Sequence, residues 1–164
     1  MENILVTGGA GFIGSWLCES LVDDYNVVCI DNFITGKQDN ISHLLKSKSF
    51  KLVKHDVIKP FEYDGDIEYI FHLSSPASPV DYHRFSIETM LANSMGTYNM
   101  LNLAKNKHAR FLLASTSEVY GDPQKHPQKE EYWGNVNPVG PRSCYDESKR
   151  FAEALVMVYS RIEK

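Results

Sequence analysis

The apolar run NILV (Asn3–Val6) passes directly into TGGAGFIG, and a helical pattern begins at Phe12. No other feature constrains the fold as tightly. Gly8, Gly11 and Gly14 are spaced GxxGxxG, and Gly9, Gly11 and Gly14 are spaced GxGxxG. Glycine permits a tight turn and a close approach of phosphate oxygens to the backbone, where a helix N-terminus meets their charge. Such a motif standing alone is weak. Between a strand and a helix it predicts a turn that holds the pyrophosphate of a dinucleotide.

Four further apolar runs follow, at Asn26–Asp31, Phe50–His55, Glu68–Leu73 and Arg110–Ser115. They are near-continuously hydrophobic, as strands buried on both faces should be. Helical patterns lie between them. Phe12–Val22 carries a stripe of Phe12, Ile13, Trp16, Leu17, Leu21 and Val22, and a longer helix is predicted from Ser86 to Lys105. The last helix is predicted to begin near Arg142 and to run to the end of the chain. Alternating strand and helix imply right-handed crossovers and an α/β fold, a Rossmann-like doubly wound parallel sheet flanked by helices. The segments Ser74–Val80 and Gly121–Pro141 are rich in proline and read as loops. The second is long enough to suggest a lid or another functional excursion, the plain alternative being a surface loop.

Composition narrows the class. With 43% hydrophobic and 23% charged residues the 164-residue chain reads as one globular domain, 1–164. A net charge of −4 argues against a nucleic-acid surface. Neither a secretory signal nor an apolar run of membrane-spanning length is evident, so a cytoplasmic location and no membrane partner are expected. Cys18, Cys29 and Cys144 are scattered and read as reduced thiols. The six histidines have no metal-ligand spacing, and no metal is expected.

Asp31 ends the second apolar run, 17 residues beyond Gly14. A carboxylate there accepts hydrogen bonds from ribose hydroxyls and repels a 2′-phosphate, which favours NAD over NADP. The competing reading is a cap or turn residue. Asp56 with Val57 follows the third run and has two readings of its own, adenine contact or turn aspartate. Tyr145 and Lys149 stand four apart on the last helix and share a face. Tyrosine titrates near pH 10, and making it a base at neutrality needs roughly 4 kcal/mol of differential stabilisation. A neighbouring ammonium and a bound nicotinamidium would act in that direction. Finally, LLASTSEVYGDP (Leu112–Pro123) ends an apolar strand in Thr116, Ser117 and Glu118, at the strand end where parallel sheets bind ligands.

TGGAGFIG, the HLSS of His72–Ser75, NSMGT (Asn93–Thr97), TSEVYGD and YDESK together resemble the extended short-chain dehydrogenase/reductase family. Within it, SSPASP (Ser74–Pro79) and WGNVNPVGPRSCYDESKRFAE (Trp133–Glu153) are similar to the UDP-glucuronate decarboxylases, or UDP-xylose synthases. The resemblance implies NAD held by Gly8, Gly11, Phe12, Ile13, Gly14, Asp31, Asn32, Asp56, Val57, Leu73, Ser74, Ser75, Asn93, Tyr145 and Lys149. It implies a UDP-sugar contacted by Pro76, Ala77, Ser78, Tyr82 and Thr116. Tyr145 would be the base at the sugar 4-hydroxyl, and Lys149 would bind nicotinamide-ribose hydroxyls. Thr116 would hold the 4-oxygen, while Ser117 and Glu118 would orient the sugar and serve later proton transfers. Oxidation at carbon 4 gives a β-keto acid, which loses carbon dioxide before the hydride returns. Related 4,6-dehydratases carry Asp-Glu at these two positions, so Ser117 argues for decarboxylation, and the 4-epimerases rank lower still.

Members of that family are longer, and their C-terminal part adds strands and a small substrate domain. The chain therefore reads as the NAD-binding part, truncated after the Tyr–Lys helix, with one sheet edge uncovered. Arg84 and Arg142 read as surface or loop residues, and Phe85-Ser86 stands where the family commonly has Asn-Pro. The stripe of Phe151, Leu155, Val158 and Ile162 is consistent with a homodimer formed through the Tyr–Lys helix, or with packing on the chain's own core. The other reading of function is an NAD-binding module that catalyses nothing.

Overall fold

The computed structural model describes residues 1–163. Five strands, β1 (Asn3–Thr7), β2 (Asn26–Asp31), β3 (Phe50–Lys54), β4 (Tyr69–His72) and β5 (Arg110–Leu113), form one sheet in the order β3-β2-β1-β4-β5. Every neighbouring pair is parallel. The chain moves outward from β1 to β3 and then crosses to β4, so the order reverses between β1 and β4. A crevice opens at such a reversal, beyond the carboxyl ends of the strands.

Alternation along the central strand supplies both layers of the core. Ile4 and Val6 face Cys18, Val22 and Ile41 on one side. Leu5 faces the other side, with Ile70, Met100 and Leu103. Burying each such side chain contributes about 1.5–3 kcal/mol. The continuous apolar pattern is matched by burial only in the middle of the sheet. β1 and β2 are buried beyond their first residue, whereas β5 alternates exposed and half-buried positions and Leu112 is 49% exposed. Three strands are a residue or two shorter than predicted, although ladder-like hydrogen bonds continue at His55, Leu73 and Ala114.

The helices depart further from expectation. α1 (Phe12–Leu21) is present and its predicted stripe divides: Leu17, Leu21 and the adjoining Val22 pack on the core, whereas Phe12, Ile13 and Trp16 are exposed and Gly14, Ser15 and Cys18 are buried instead. Small residues let this helix lie close to the sheet. The predicted long helix is three pieces, α3 (Ser86–Leu91), a π-helical segment (Ala92–Gly96) and α4 (Thr97–Lys107). Part of the predicted Ser74–Val80 loop belongs to a further helix, α2 (Pro79–Arg84). Ser78 caps it, accepting a hydrogen bond from Asp81 N at 3.2 Å, and Pro79 occupies its first turn. α5 (Ser143–Ile162) carries the Tyr–Lys pair, with Phe151, Val158 and Ile162 exposed and Leu155 half-buried. Packing on the chain's own core therefore does not account for that stripe. Among the described residues, no helix is long and apolar enough to cross a membrane.

Candidate active site

The crevice at the β1/β4 reversal is a cleft of about 510 Å³. Its floor is the glycine turn. Gly8 has φ +70°, and a Cβ there would stand 3.0 Å from Leu73 and Ser74 backbone. A Cβ on Gly14 would run into the Gly8 carbonyl, and one on Gly9 would meet Cys29 Sγ at 2.5 Å and Cys18 Sγ at 3.1 Å. The motif thus brings α1 against the end of β1 while leaving backbone bare towards the cleft. The hydrogen bond with Cys18, then burial, push the Cys29 thiol far above its ordinary range, so both sulfurs act as packing under the turn.

Asp31 closes one end. It is 7% exposed, and its two carboxylate oxygens accept from Ala10 N at 2.9 Å and Phe33 N at 2.8 Å. Burial raises its pKa and these two N–H groups oppose the rise. Asn32 repeats the turn, accepting from Ile34 N, and Phe33 is held at φ +61° between the two. Gly36 lies over the carboxylate, which a Cβ would approach to 2.9 Å.

At the other end stand Tyr145 and Lys149. Lys149 is 4% exposed, and its Nζ donates to Ala114 O at 2.8 Å. Burial lowers its pKa to about 8, opposed by Glu153. The Tyr145 ring stacks on Tyr82 at 4.9 Å and 6°, and Lys149 Nζ lies 6.0 Å from the Tyr145 ring centre. Tyr145 has its pKa raised, chiefly by burial, against a hydrogen bond with Thr116 that lowers it. The direction is opposite to the one expected from a neighbouring ammonium together with a bound nicotinamidium. With Lys149 bonded to the β5 end, the chain's own residues keep the phenol protonated.

The cleft wall includes Gly8, Gly11, Phe12, Ile13, Gly14, Asp31, Asn32, Asp56, Val57, Leu73, Ser74, Ser75, Pro76, Ala77, Ser78, Tyr145 and Lys149. Asp56 Oδ1 accepts from Ile58 N at 3.1 Å, and Val57 packs beneath Gly96. Other residues singled out from sequence stand behind the wall. Tyr82 is the buried ring beneath Tyr145, and Asn93, 1% exposed, donates to Ser75 and Ser148 hydroxyls at 3.0 Å each. Thr116, Ser117 and Glu118 lie beyond the Tyr145 end. Thr116 caps the 3₁₀ turn Ser117–Tyr120 by accepting from Glu118 N at 3.2 Å.

Sequence reading passed over Ile34, Thr35, Gly36, His55, Ile58, Asp81, Ala114 and Ser115, which also line the cleft. His55, Ala114 and Ser115 sit one or two places beyond a strand end, which is the signal that could have found them. Arg142 stands in the turn before α5, a loop residue as expected, and holds a network of its own. Its guanidinium faces Asp122 at 3.0 Å, Glu118 at 3.4 Å and Asp146 at 3.6 Å, tying the β5 end to the first turn of α5.

A family model described as GDP-mannose 4,6 dehydratase matches residues 5–164. The chain is 56% identical over 160 residues to UDP-glucuronic acid decarboxylase 1 of Arabidopsis thaliana, covering 97% of this chain and 36% of that protein. It is 52% identical over 163 residues to UDP-glucuronic acid decarboxylase 1 of Xenopus tropicalis, covering 99% and 38%. The chain thus spans little more than a third of the length of those relatives. Among solved structures, it is similar to a UDP-N-acetylglucosamine 4-epimerase from Methanobrevibacter ruminantium, in complex with UDP-N-acetylmuramic acid. The TM-score is 0.83 at 28% identity, over 99% of this chain and 51% of that one. A UDP-glucuronic acid 4-epimerase from Bacillus cereus, in complex with NAD and UDP-4-deoxy-4-fluoro-glucuronic acid, gives 0.76 at 31% identity, over 98% and 52%.

Proposed function

The chain belongs to the GDP-mannose 4,6 dehydratase family, and on that premise we propose that it is the NAD-binding domain of a UDP-glucuronate decarboxylase. One observation carries the reading: the Asp31 carboxylate, the glycine turn, Tyr145 and Lys149 line a single cleft. The residues suit a nicotinamide dinucleotide, since Cβ atoms on Gly8 and Gly14 would close the turn against which a pyrophosphate would lie. When bound, NAD supplies the hydride acceptor for oxidation at the sugar's carbon 4 and later returns the hydride.

The chain's own residues have the rest to do. Tyr145 takes the proton of the 4-hydroxyl, and Thr116 orients the same oxygen. Burial resists the phenolate, so positive charge has to be brought to the ring. Lys149, still largely an ammonium at neutral pH, is the resident source. The carbonyl formed at carbon 4 lies β to the sugar carboxylate, so the bond to that carboxylate breaks as carbon dioxide leaves. Glu118, faced by Arg142 at 3.4 Å, is the acid or base for the proton that then returns to carbon. Serine at 117 supports decarboxylation over loss of water, which needs an added acid.

Incubation with NAD⁺ and UDP-glucuronate, followed by mass spectrometry, tests the reading. Carbon dioxide loss from the sugar nucleotide, abolished by Tyr145→Phe, is expected when the chain is joined to the C-terminal part that its longer relatives carry. A product that keeps its carboxylate, such as the 4-epimer, would overturn it. If this chain alone binds NAD⁺ without turnover, it acts as the binding module. The protonated Tyr145 favours that outcome for the isolated domain. A second copy is the partner we assign to the exposed apolar residues Ile87 and Met90 of α3 and Phe151 and Val158 of α5.

A further inference from the structure

His72 ends β4 beneath the cleft floor and is 2% exposed. Its two ring nitrogens are both engaged, Nδ1 with Thr7 Oγ1 at 2.8 Å and Nε2 with Thr97 Oγ1 at 3.3 Å. The directions of these bonds follow from their neighbours. Thr97 has one hydroxyl proton, and the Asn93 carbonyl, 2.7 Å away, can only accept it. Thr97 Oγ1 is then an acceptor towards His72, so Nε2 carries the imidazole proton. Burial, then the charge of Lys149, hold this histidine neutral down to pH about 3, which leaves Nδ1 bare. Thr7 donates to it, and Thr7 Oγ1 in turn accepts from Leu73 N at 3.2 Å and Ser74 N at 3.3 Å.

Both ends of this chain of bonds reach the cleft. Leu73 and Ser74 line it directly. From Asn93, whose carbonyl sits in the π-helical segment, the side-chain amide donates to Ser75 and to Ser148 Oγ. Ser148 lies between Tyr145 and Lys149 on α5 and bonds back to the Cys144 and Tyr145 carbonyls. Directional bonds at both ring nitrogens fix relative position more sharply than apolar contact does. We propose that His72, in its Nε2–H tautomer, is a positioning residue that couples the Leu73–Ser75 wall of the cleft to the Tyr145–Lys149 helix. The relay through Thr7, Thr97, Asn93 and Ser148 carries the coupling. The proposal rests on the cofactor reading above for one of its two readouts only.

The first readout is spectroscopic. In ¹⁵N-histidine-labelled protein at pH 7, a long-range proton–nitrogen correlation should show His72 with a protonated Nε2 and an unprotonated Nδ1. An Nδ1–H tautomer or a doubly protonated ring overturns the relay. The second is calorimetric titration with NAD⁺. Thr97→Val, which removes one link with little change in shape, should weaken binding about fivefold. Thr97→Ser should bring binding back to the wild-type value. Ser148→Ala should weaken it similarly, and the double variant little more than either alone, as residues in one network are non-additive. Independent, multiplying losses would reduce His72 to a local core residue. If the wild-type protein binds no NAD⁺, the cofactor reading fails, and the tautomer signature alone decides the relay.

Discussion

At the glycine-turn end of the cleft the two carboxylate oxygens of Asp31 both meet backbone N–H groups, and β1 and β2 are buried on both faces. At the Tyr145 end, Asp146 is as deeply buried, at 4% exposure, yet its Oδ1 finds no hydrogen-bond partner among the described residues. β5 there leaves alternate residues exposed. The first end is assembled from β1, α1 and β2 with their turns, contiguous along the chain. The second end gathers β5, the turn after it and the start of α5 across the long 121–141 excursion, and much of its surface is open. A contiguous unit supplies its own partners, whereas one assembled across a long connection has polar groups and apolar faces left over.

Core substitutions should separate the two regions most widely. Leu5→Ala, in the fully buried centre of β1, is expected to cost about 3–4 kcal/mol in a urea titration. Equal costs at Leu5 and at Leu112 would erase the contrast. The next effect belongs to Lys149. Its folded pKa, about 8, lies below its ordinary 10.5, so between those values the unfolded chain holds a proton that the folded chain has released. Stability therefore rises with pH across that window, as the penalty for a buried ammonium disappears. Wild type should gain roughly 3 kcal/mol relative to Lys149→Met between pH 8 and 10.5. A constant difference between the two proteins would mean that Lys149 is solvated. The smallest effect is expected at the sheet's margin, where Leu112→Ala should change stability by less than about 0.5 kcal/mol.

The same contrast explains what could be read from sequence. The five strands, the glycine turn and Asp31 at the end of β2 stand where patterns within a few residues of one another put them. The order of the strands in the sheet rests on pairing between distant segments, which no such pattern carries. α2 was hidden because Ser-Pro pairs suggest loops, although Ser78, Pro79 and Asp81 together form a helix start. The long helix was drawn unbroken because apolar spacing does not register an extra residue in one turn, which is what the π-helical segment inserts before Thr97. The exposed half of the α1 stripe, Phe12, Ile13 and Trp16, has a different reason. Periodicity reports which side chains are apolar, whereas burial depends on what lies opposite, and Gly14 and Cys18 allow the closer approach. The ion pairs of Arg142 are not legible because its partners Glu118 and Asp122 lie 20 or more residues away in the chain.

The 121–141 excursion has its own consequence. Its two feet are tied together, Asn135 N donating to Tyr120 O at 2.8 Å and Asp122 N to Asn135 O at 3.0 Å. Arg150 of α5 fastens both sides, donating to the Val119 and Trp133 carbonyls. An arch pinned at its base transmits little of its own shape to its foundations. Residues within 124–131 can be added, removed or exchanged while the separation of β5 and α5, and with it the distance from Thr116 to Tyr145, stays as it is. A tag or a second binding element grafted at 124–131 is therefore expected to leave the cleft undisturbed, which NAD⁺ titration of the grafted protein would check.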